Sequence, residues 1–321
     1  MMGIRLFLLS QACSLLLLIF SSFYQPAATA ATITTSNSGA AFLKLGIGAR
    51  ALAIGGGYAA IANDVSAIYW NPGGLSQVER PEVAGMYTEW ISDVRYEFIG
   101  YAQPTKVGTF GLGLVYLHMG AMERRGANRE LLDGTFTAHD FAATLSFSRR
   151  LFSNSSVGVN FKLIRQTIEA ASANGIALDI GLLQKTVMKD LNVGIVIQNI
   201  GPRMKFVNVG YNLPLTIIAS VAYNLYGIFT IGANLNYLVF DSRATANLGM
   251  ELWLGPVALR ARCGHVYSLL GEDTRSKIDI NDLSSFGIGL GVKINRYQLD
   301  YTFIPYGELG DTHRLTFGIK L

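Results

Sequence analysis

Ala244-Thr-Ala-Asn-Leu-Gly-Met-Glu-Leu-Trp-Leu254 is the stretch that decides the fold. Successive side chains of an extended strand point to opposite faces, so Ala244, Ala246, Leu248, Met250, Leu252 and Leu254 share one face. Thr245, Asn247, Gly249, Glu251 and Trp253 share the other. Working outward, Phe229, Ile231, Ala233, Leu235, Tyr237 and Val239 oppose Thr230, Gly232, Asn234 and Asn236. Nearer the end, Phe286, Ile288, Leu290 and Val292 oppose Gly287, Gly289, Gly291 and Lys293. A β-sandwich alternates too, but its polar face meets bulk water and carries abundant Lys and Glu. Here the second face is mostly Gly, Ser, Thr and Asn, the composition of a crowded lumen.

Composition narrows the class. The chain has 321 residues, 50% of them hydrophobic and 15% charged, against about 25% charged in ordinary soluble domains. Disorder is excluded, because disordered chains are polar, charged and poor in aromatics. Two cysteines cannot make a disulfide framework, and the glycines follow no collagen period. A net charge of +4, scattered along the chain, does not argue for nucleic acid. Mean hydropathy is +0.32, yet beyond the N-terminal leader no apolar run approaches the ~18 residues of a spanning helix. The closed barrel is the other structure that satisfies its backbone inside a bilayer.

Alternating runs number about fourteen, at roughly 81–90, 95–104, 107–118, 136–150, 155–168, 175–187, 190–199, 213–225, 227–240, 244–254, 256–268, 284–294, 296–305 and 313–321. The longer connections, including 120–134, 200–212 and 270–283, alternate with short turns such as Tyr226-Gly227 and Gly255-Pro256. That rhythm suits a bacterial outer-membrane barrel with both ends in the periplasm. The expectation is an all-β chain: a transmembrane antiparallel β-barrel of about fourteen strands. Its last strand carries Leu315, Phe317, Ile319 and Leu321 on one face, as if to close against the first. Upstream, Arg5, the apolar stretch 6–20 and Ala28-Thr29-Ala30 read as a secretory signal cleaved after Ala30. An uncleaved anchor is the weaker reading, since Ser10, Gln11 and Ser14 interrupt the stretch. The expected division is therefore signal peptide 1–30, N-terminal segment 31–80 and barrel 81–321. Cys263 is then the one cysteine of the mature chain, on the lipid-facing side with Val257, Leu259 and Ala261.

Several motifs carry a resemblance. They are Gly48-Ala49-Arg50, Gly55-Gly56, Asn63-Asp64, Tyr69-Trp70-Asn71-Pro72-Gly73-Gly74-Leu75, Leu178-Asp179-Ile180-Gly181, Gln198-Asn199-Ile200-Gly201-Pro202, Leu213-Pro214-Leu215 and Leu299-Asp300-Tyr301. With these the chain resembles the PorV/PorQ family, related to the FadL-like long-chain fatty-acid transporters of bacterial outer membranes. The resemblance covers essentially the mature chain and departs at the terminal Leu321, where the family commonly ends in Phe. It implies a fourteen-stranded barrel whose N-terminal segment forms a hatch in the lumen. Gly55, Gly56, Asp64, Asn71, Pro72 and Gly73 are the hatch positions. It further implies a passive conduit for small hydrophobic molecules, or alternatively a docking barrel for secreted proteins of a type IX system. The expected surroundings are outer-membrane lipid, lipopolysaccharide and the barrel-assembly machinery.

Read physically, Asp64 can cap a short helix over 65–70 that Pro72 and Gly73-Gly74 stop. The triple glycine 55–57 lets the backbone pass close to a wall. Carbonyls at the end of that helix seek donors, and inward Arg260 and Arg262 are the candidates. If the Gly255-Pro256 turn is tight, Glu251 faces Arg260 across the hairpin. Arg314, Lys320, Lys293 and Asp300 are expected as a second group near the closing strands. Pro214 and the glycines of 287–291 are candidate weak points in the wall.

Enzyme chemistry is not expected. Gly46-Ile-Gly48-Ala-Arg-Ala51 matches a loose dinucleotide fingerprint without the strand–helix context it requires. The histidines at 118, 139, 265 and 313 lack metal-ligand spacing. Glu272, Asp273, Asp279, Asn281 and Asp282 crowd one loop and read as solvated rather than calcium-binding. No nucleophile–His–acid set is legible, and no cofactor or metal is implied.

Overall fold

The computed structural model describes residues 38–90, 94–125, 128, 130–268, 286–306 and 310–321. The signal region and the acidic loop at 272–282 lie outside the described residues. The strands are β1 Glu82–Glu89, β2 Val94–Pro104, β3 Thr109–Met119, β4 Met122–Arg125, β5 Leu131–Phe136, β6 Ala138–Phe152, β7 Ser155–Ile168, β8 Ala171–Lys185 and β9 Leu191–Ile200. They continue as β10 Met204–Phe206, β11 Val209–Tyr211, β12 Thr216–Leu225, β13 Phe229–Leu238, β14 Arg243–Leu254, β15 Val257–Ser268, β16 Phe286–Ile294, β17 Tyr297–Pro305 and β18 Asp311–Lys320.

Fourteen of them form one closed antiparallel barrel, each pairing with its sequence neighbours. β1 and β18 close it in register from Glu82 opposite Lys320 to Glu89 opposite His313. Closure leaves no unpaired edge, the condition for a sheet to survive in hydrocarbon. The remaining strands make two small hairpins, β4–β5 and β10–β11, inside connections the alternation left as loops. Met122-Glu-Arg-Arg125 lacks an apolar face, so period two could not disclose it.

The apolar faces point outward. Ile99, Leu112, Leu145, Leu163, Leu248 and Leu315 are each exposed on that side. Aromatic clusters mark both limits of the band: Phe110 with Phe147 near the short turns, and Tyr116 with His118 and His139 near the long connections. His313 joins the latter level, hydrogen-bonded to Tyr301 Oη at 2.7 Å. Aromatic girdles of this kind belong at membrane interfaces. Among the described residues no helix is long and apolar enough to cross a membrane.

Two suspected weak points are not breaks. Pro214 precedes β12, which starts at Thr216, so no ladder bond is lost. β16 is paired on both sides from Ile288 to Gly291, with Gly289 between Arg260 and Thr302, and Gly287 pairs with Arg262 of β15.

The N-terminal segment runs through the lumen as short turns: 3₁₀ at Ala41–Lys44, Tyr58–Ala60 and Pro72–Gln77, α-helical at Ala49–Ile54 and Ala67–Trp70. Ser38 bridges to Asn212 near the long-connection end. Ile47, Ile54, Tyr58, Val65 and Leu75 are fully buried against the barrel, each stabilising by about 1.5–3 kcal/mol.

Inward glycines make room for this backbone. A Cβ on Gly249 would sit 1.6 Å from the Ile54 carbonyl oxygen, one on Gly158 2.2 Å from the Pro72 carbonyl carbon, and one on Gly194 2.3 Å from the Ala59 oxygen. On Gly100 and Gly289 it would lie 2.4 Å from Val65 and Ala53 side chains, and on Gly232 2.7 Å from the Gly57 Cα. Much of the polar-side glycine of the strands is therefore space for the segment rather than flexibility of the wall.

Candidate functional site

A buried charge cluster fastens the segment. Arg50, on the Ala49–Ile54 helix, grips Glu251 with both prongs: Nε to Oε1 and Nη2 to Oε2, each 2.9 Å. Glu251 also accepts from Arg260 Nε at 2.8 Å, the cross-strand partner that the two-residue Gly255-Pro256 turn places opposite it. Arg260 continues to Asp300 at 2.7 Å, and Gln298 Nε2 donates to the other Asp300 oxygen at 2.7 Å. The Arg260 guanidinium lies 5.5 Å over the Trp253 ring. Planar, bidentate pairing suits a desolvated ion cluster, in which every charge needs a partner.

Arg50 Nη1 reaches back to Asn63 Oδ1 at 2.7 Å and Asp64 Oδ2 at 3.3 Å. Asp64 accepts the Ser66 N–H at 2.9 Å and the Tyr58 hydroxyl at 2.7 Å. Burial, reinforced by the Asp64 carboxylate, holds the Tyr58 phenol well above its ordinary range, so it stays a donor. Asp64 thus closes the turn leading into the helix, and the α-helical part is Ala67–Trp70 rather than 65–70. Gly55 packs against Arg262, where a Cβ would lie 2.4 Å from Cδ; Gly56 packs against Asn247–Gly249. Gly55 itself has φ 61°, which favours glycine.

Asn71 is fully buried, its Nδ2 donating to Ala59 O at 2.7 Å and Leu182 O at 3.0 Å while Oδ1 accepts from Gly73 N–H at 3.0 Å. Pro72 opens the next 3₁₀ turn and with Gly73 lies against Gly158 and Gly181.

Two expectations change. The carbonyls at the end of the short helix are met by Asn160 on Ile68 O (2.7 Å), Gln198 on Tyr69 O (2.5 Å) and Ser148 on Gly73 O (3.1 Å). Arg260 and Arg262 do not serve them; they face Glu251 and Gly55 instead. Lys293, Asp300 and Arg314 do not form one group. Asp300 belongs to the cluster around Arg260, and Lys293 lines a recess at the short-turn end with Lys320 and Glu82. Arg314 lies opposite Thr302, one inward step from Asp300 towards the long connections, with the segment's Leu45 against it. Arg50 is the residue that the sequence offered without marking as a site. Asp179, holding Asn160 and Lys162 at 2.7 Å each, is a second internal anchor that sequence reading passed over.

Between segment and wall, near the long connections, lies a cavity of about 120 Å³. The segment contributes Leu43, Leu45, Leu52, Tyr69 and Trp70; the wall contributes Ile218, Leu238, Trp90, Tyr306, Arg262 and Arg314, among others. Tyr69 Oη donates to Leu43 O at 2.7 Å and accepts from Gly46 N–H at 3.1 Å, and Trp70 Nε1 donates to Ile47 O at 2.8 Å. Those bonds fix the strap 43–47 over the cavity. Among the described residues no group of three or more His, Cys, Asp or Glu is arranged to hold a metal.

A family profile described as "Uncharacterised protein family (UPF0164)" matches residues 21–320. The chain belongs to UPF0164. No curated protein matches it. Similar solved structures are alike in fold at low identity. The Pseudomonas putida toluene transporter TodX is 11% identical with a TM-score of 0.58, covering 85% of this chain and 97% of its own. The Ralstonia pickettii toluene transporter TbuX is 10% identical with a TM-score of 0.60, covering 86% and 98%. The CymD monoaromatic hydrocarbon channel is 11% identical with a TM-score of 0.60, covering 86% and 96%. This UPF0164 protein thus shares the barrel fold of those three structures.

Proposed function

We propose that this UPF0164 protein is a passive conduit of the bacterial outer membrane for small hydrophobic molecules, with the N-terminal segment as its hatch. The single observation that carries this reading is the lumenal cavity. The segment occupies the barrel yet leaves about 120 Å³ walled by Leu43, Leu52, Trp70, Trp90, Ile218 and Leu238. A barrel meant for sugars or ions leaves an aqueous channel, whereas this one leaves a small chamber beneath the long connections, in which those apolar side chains stand beside polar ones such as Gln198, Asn236 and Asn247. The TodX-type fold is consistent with that use, and none of the three structures named above is a docking or secretion barrel.

The test is flux into proteoliposomes. Toluene or a similar single-ring solute should enter faster than into protein-free vesicles under conditions where a neutral hexose does not. Equal passage of the hexose, or no acceleration of the aromatic solute, would overturn the conduit reading.

A further inference from the structure

The described lining of the cavity carries charge of one sign. Among its described lining residues are Lys44, Arg262 and Arg314, and no Asp or Glu. Lys44 is answered outside the lining by Asp241 at 3.1 Å. Arg314 is different. It is 1% exposed, and among the described residues its guanidinium meets neutral groups alone. Nη1 donates to Leu45 O at 3.0 Å, Nη2 to the Tyr306 hydroxyl at 3.3 Å, and the Trp90 ring lies 4.7 Å away. Its Nε–H is buried with no acceptor. A desolvated guanidinium lacking a counter-charge and carrying a vacant donor is costly, and an anion that satisfies it recovers that cost.

The size of the chamber limits the rest of the ligand. An engineered apolar cavity of about 150 Å³ holds one benzene, so 120 Å³ takes a single ring or a short alkyl group. We infer that this chamber selects a small monocarboxylate with an apolar body, the carboxylate drawn to the Arg314 guanidinium beside the Tyr306 hydroxyl and the body against Trp90, Trp70 and Leu52. A carboxylate fits a guanidinium edge in its plane, and a compact ring fits the apolar remainder. The inference rests on the conduit reading for its biological sense, but binding can be measured without flux.

The experiment is calorimetric titration of the full-length barrel in detergent with benzoate, benzamide and toluene. Benzoate and benzamide share shape and differ in charge, so wild-type protein alone decides the main point. Benzoate should bind at least roughly 10-fold tighter than either neutral probe, the scale of one charge-assisted bond. Arg314→Met should abolish that preference, bringing benzoate down to the affinity of benzamide. Equal affinity for benzoate and benzamide, or tighter binding of toluene, would overturn the inference even if vesicle flux is normal. Preferential benzoate binding without any flux would support it and remove the conduit reading instead.

Discussion

Gly249→Ala adds one methyl group at the closest contact between wall and segment, and its consequence can be worked from the coordinates. The new Cβ would stand 1.6 Å from Ile54 O, 2.7 Å from Ile54 C and 2.9 Å from Gly56 N. An unstrained carbon–oxygen contact is about 3.3 Å, so the Ile54 carbonyl must retreat by roughly 1.7 Å. The obstacle is backbone on both sides, hydrogen-bonded in β13–β14–β15 and in the Ala49–Ile54 helix, so no flexible side chain absorbs the clash. Overpacking of this kind costs about 1–3 kcal/mol. Moving that helix also stretches the Arg50–Glu251 bonds from 2.9 Å beyond hydrogen-bonding distance. Arg50, whose side chain is 13% exposed, then becomes a trypsin site. Limited proteolysis of the detergent-folded barrel should cut at Arg50 roughly fivefold faster or more in the variant, since opening of 1 kcal/mol or above scales populations by that factor. Gly318→Ala is the control, because its Cβ would meet nothing nearer than 3.9 Å. Equal cleavage of wild type, Gly249→Ala and Gly318→Ala would refute the claim that the inward glycines seat the segment.

Other perturbations follow from the same contacts. Arg50→Met leaves Glu251 facing Arg260 alone; breaking a buried pair of this type costs about 3–5 kcal/mol, and single-channel recordings should show a higher, noisier conductance. Arg50→Lys should recover part of the loss, because an ammonium cannot span both Glu251 oxygens in the fork geometry. Asn71→Ala strands the Ala59 and Leu182 carbonyls at about 1–3 kcal/mol each, which should lower the temperature at which trypsin reaches the segment while the heat-induced gel shift of the barrel is kept. Cys263 lies on the outward face of β15, across from Leu248, so a membrane-impermeant charged maleimide should label it slowly in intact membranes and quickly after detergent denaturation.

The barrel was legible because its determinant is local. Leu248 beside Gly249, repeated strand after strand, states both the period and the side, and a two-residue turn at Gly255-Pro256 fixes Glu251 opposite Arg260. The segment was less legible, because its one-turn helices and 3₁₀ turns are too short for periodicity and owe their shape to the wall. Arg50 meets Glu251 across 201 residues of sequence, a pairing no spacing rule can supply. Arg314 was placed with Asp300 because both face inward near the closing strands; one step of two residues along β18 and the intervening strap separate their surroundings. Gly287–Gly291 looked like a fragile wall for the same reason, although what those glycines admit is Ala53 at Gly289 and the guanidinium of Arg260 at Gly291.

The central claim is that small solutes use the chamber between segment and wall. Ile218 lines it from β12 and is 4% exposed, so Ile218→Trp fills the space from the wall side without touching the charge cluster or the inward glycines. The decisive measurement is the rate of toluene entry into proteoliposomes bearing wild type or Ile218→Trp, at matched levels of heat-modifiable barrel. The account predicts that the variant falls to the rate of protein-free vesicles. Passage at the wild-type rate through the filled chamber would contradict it.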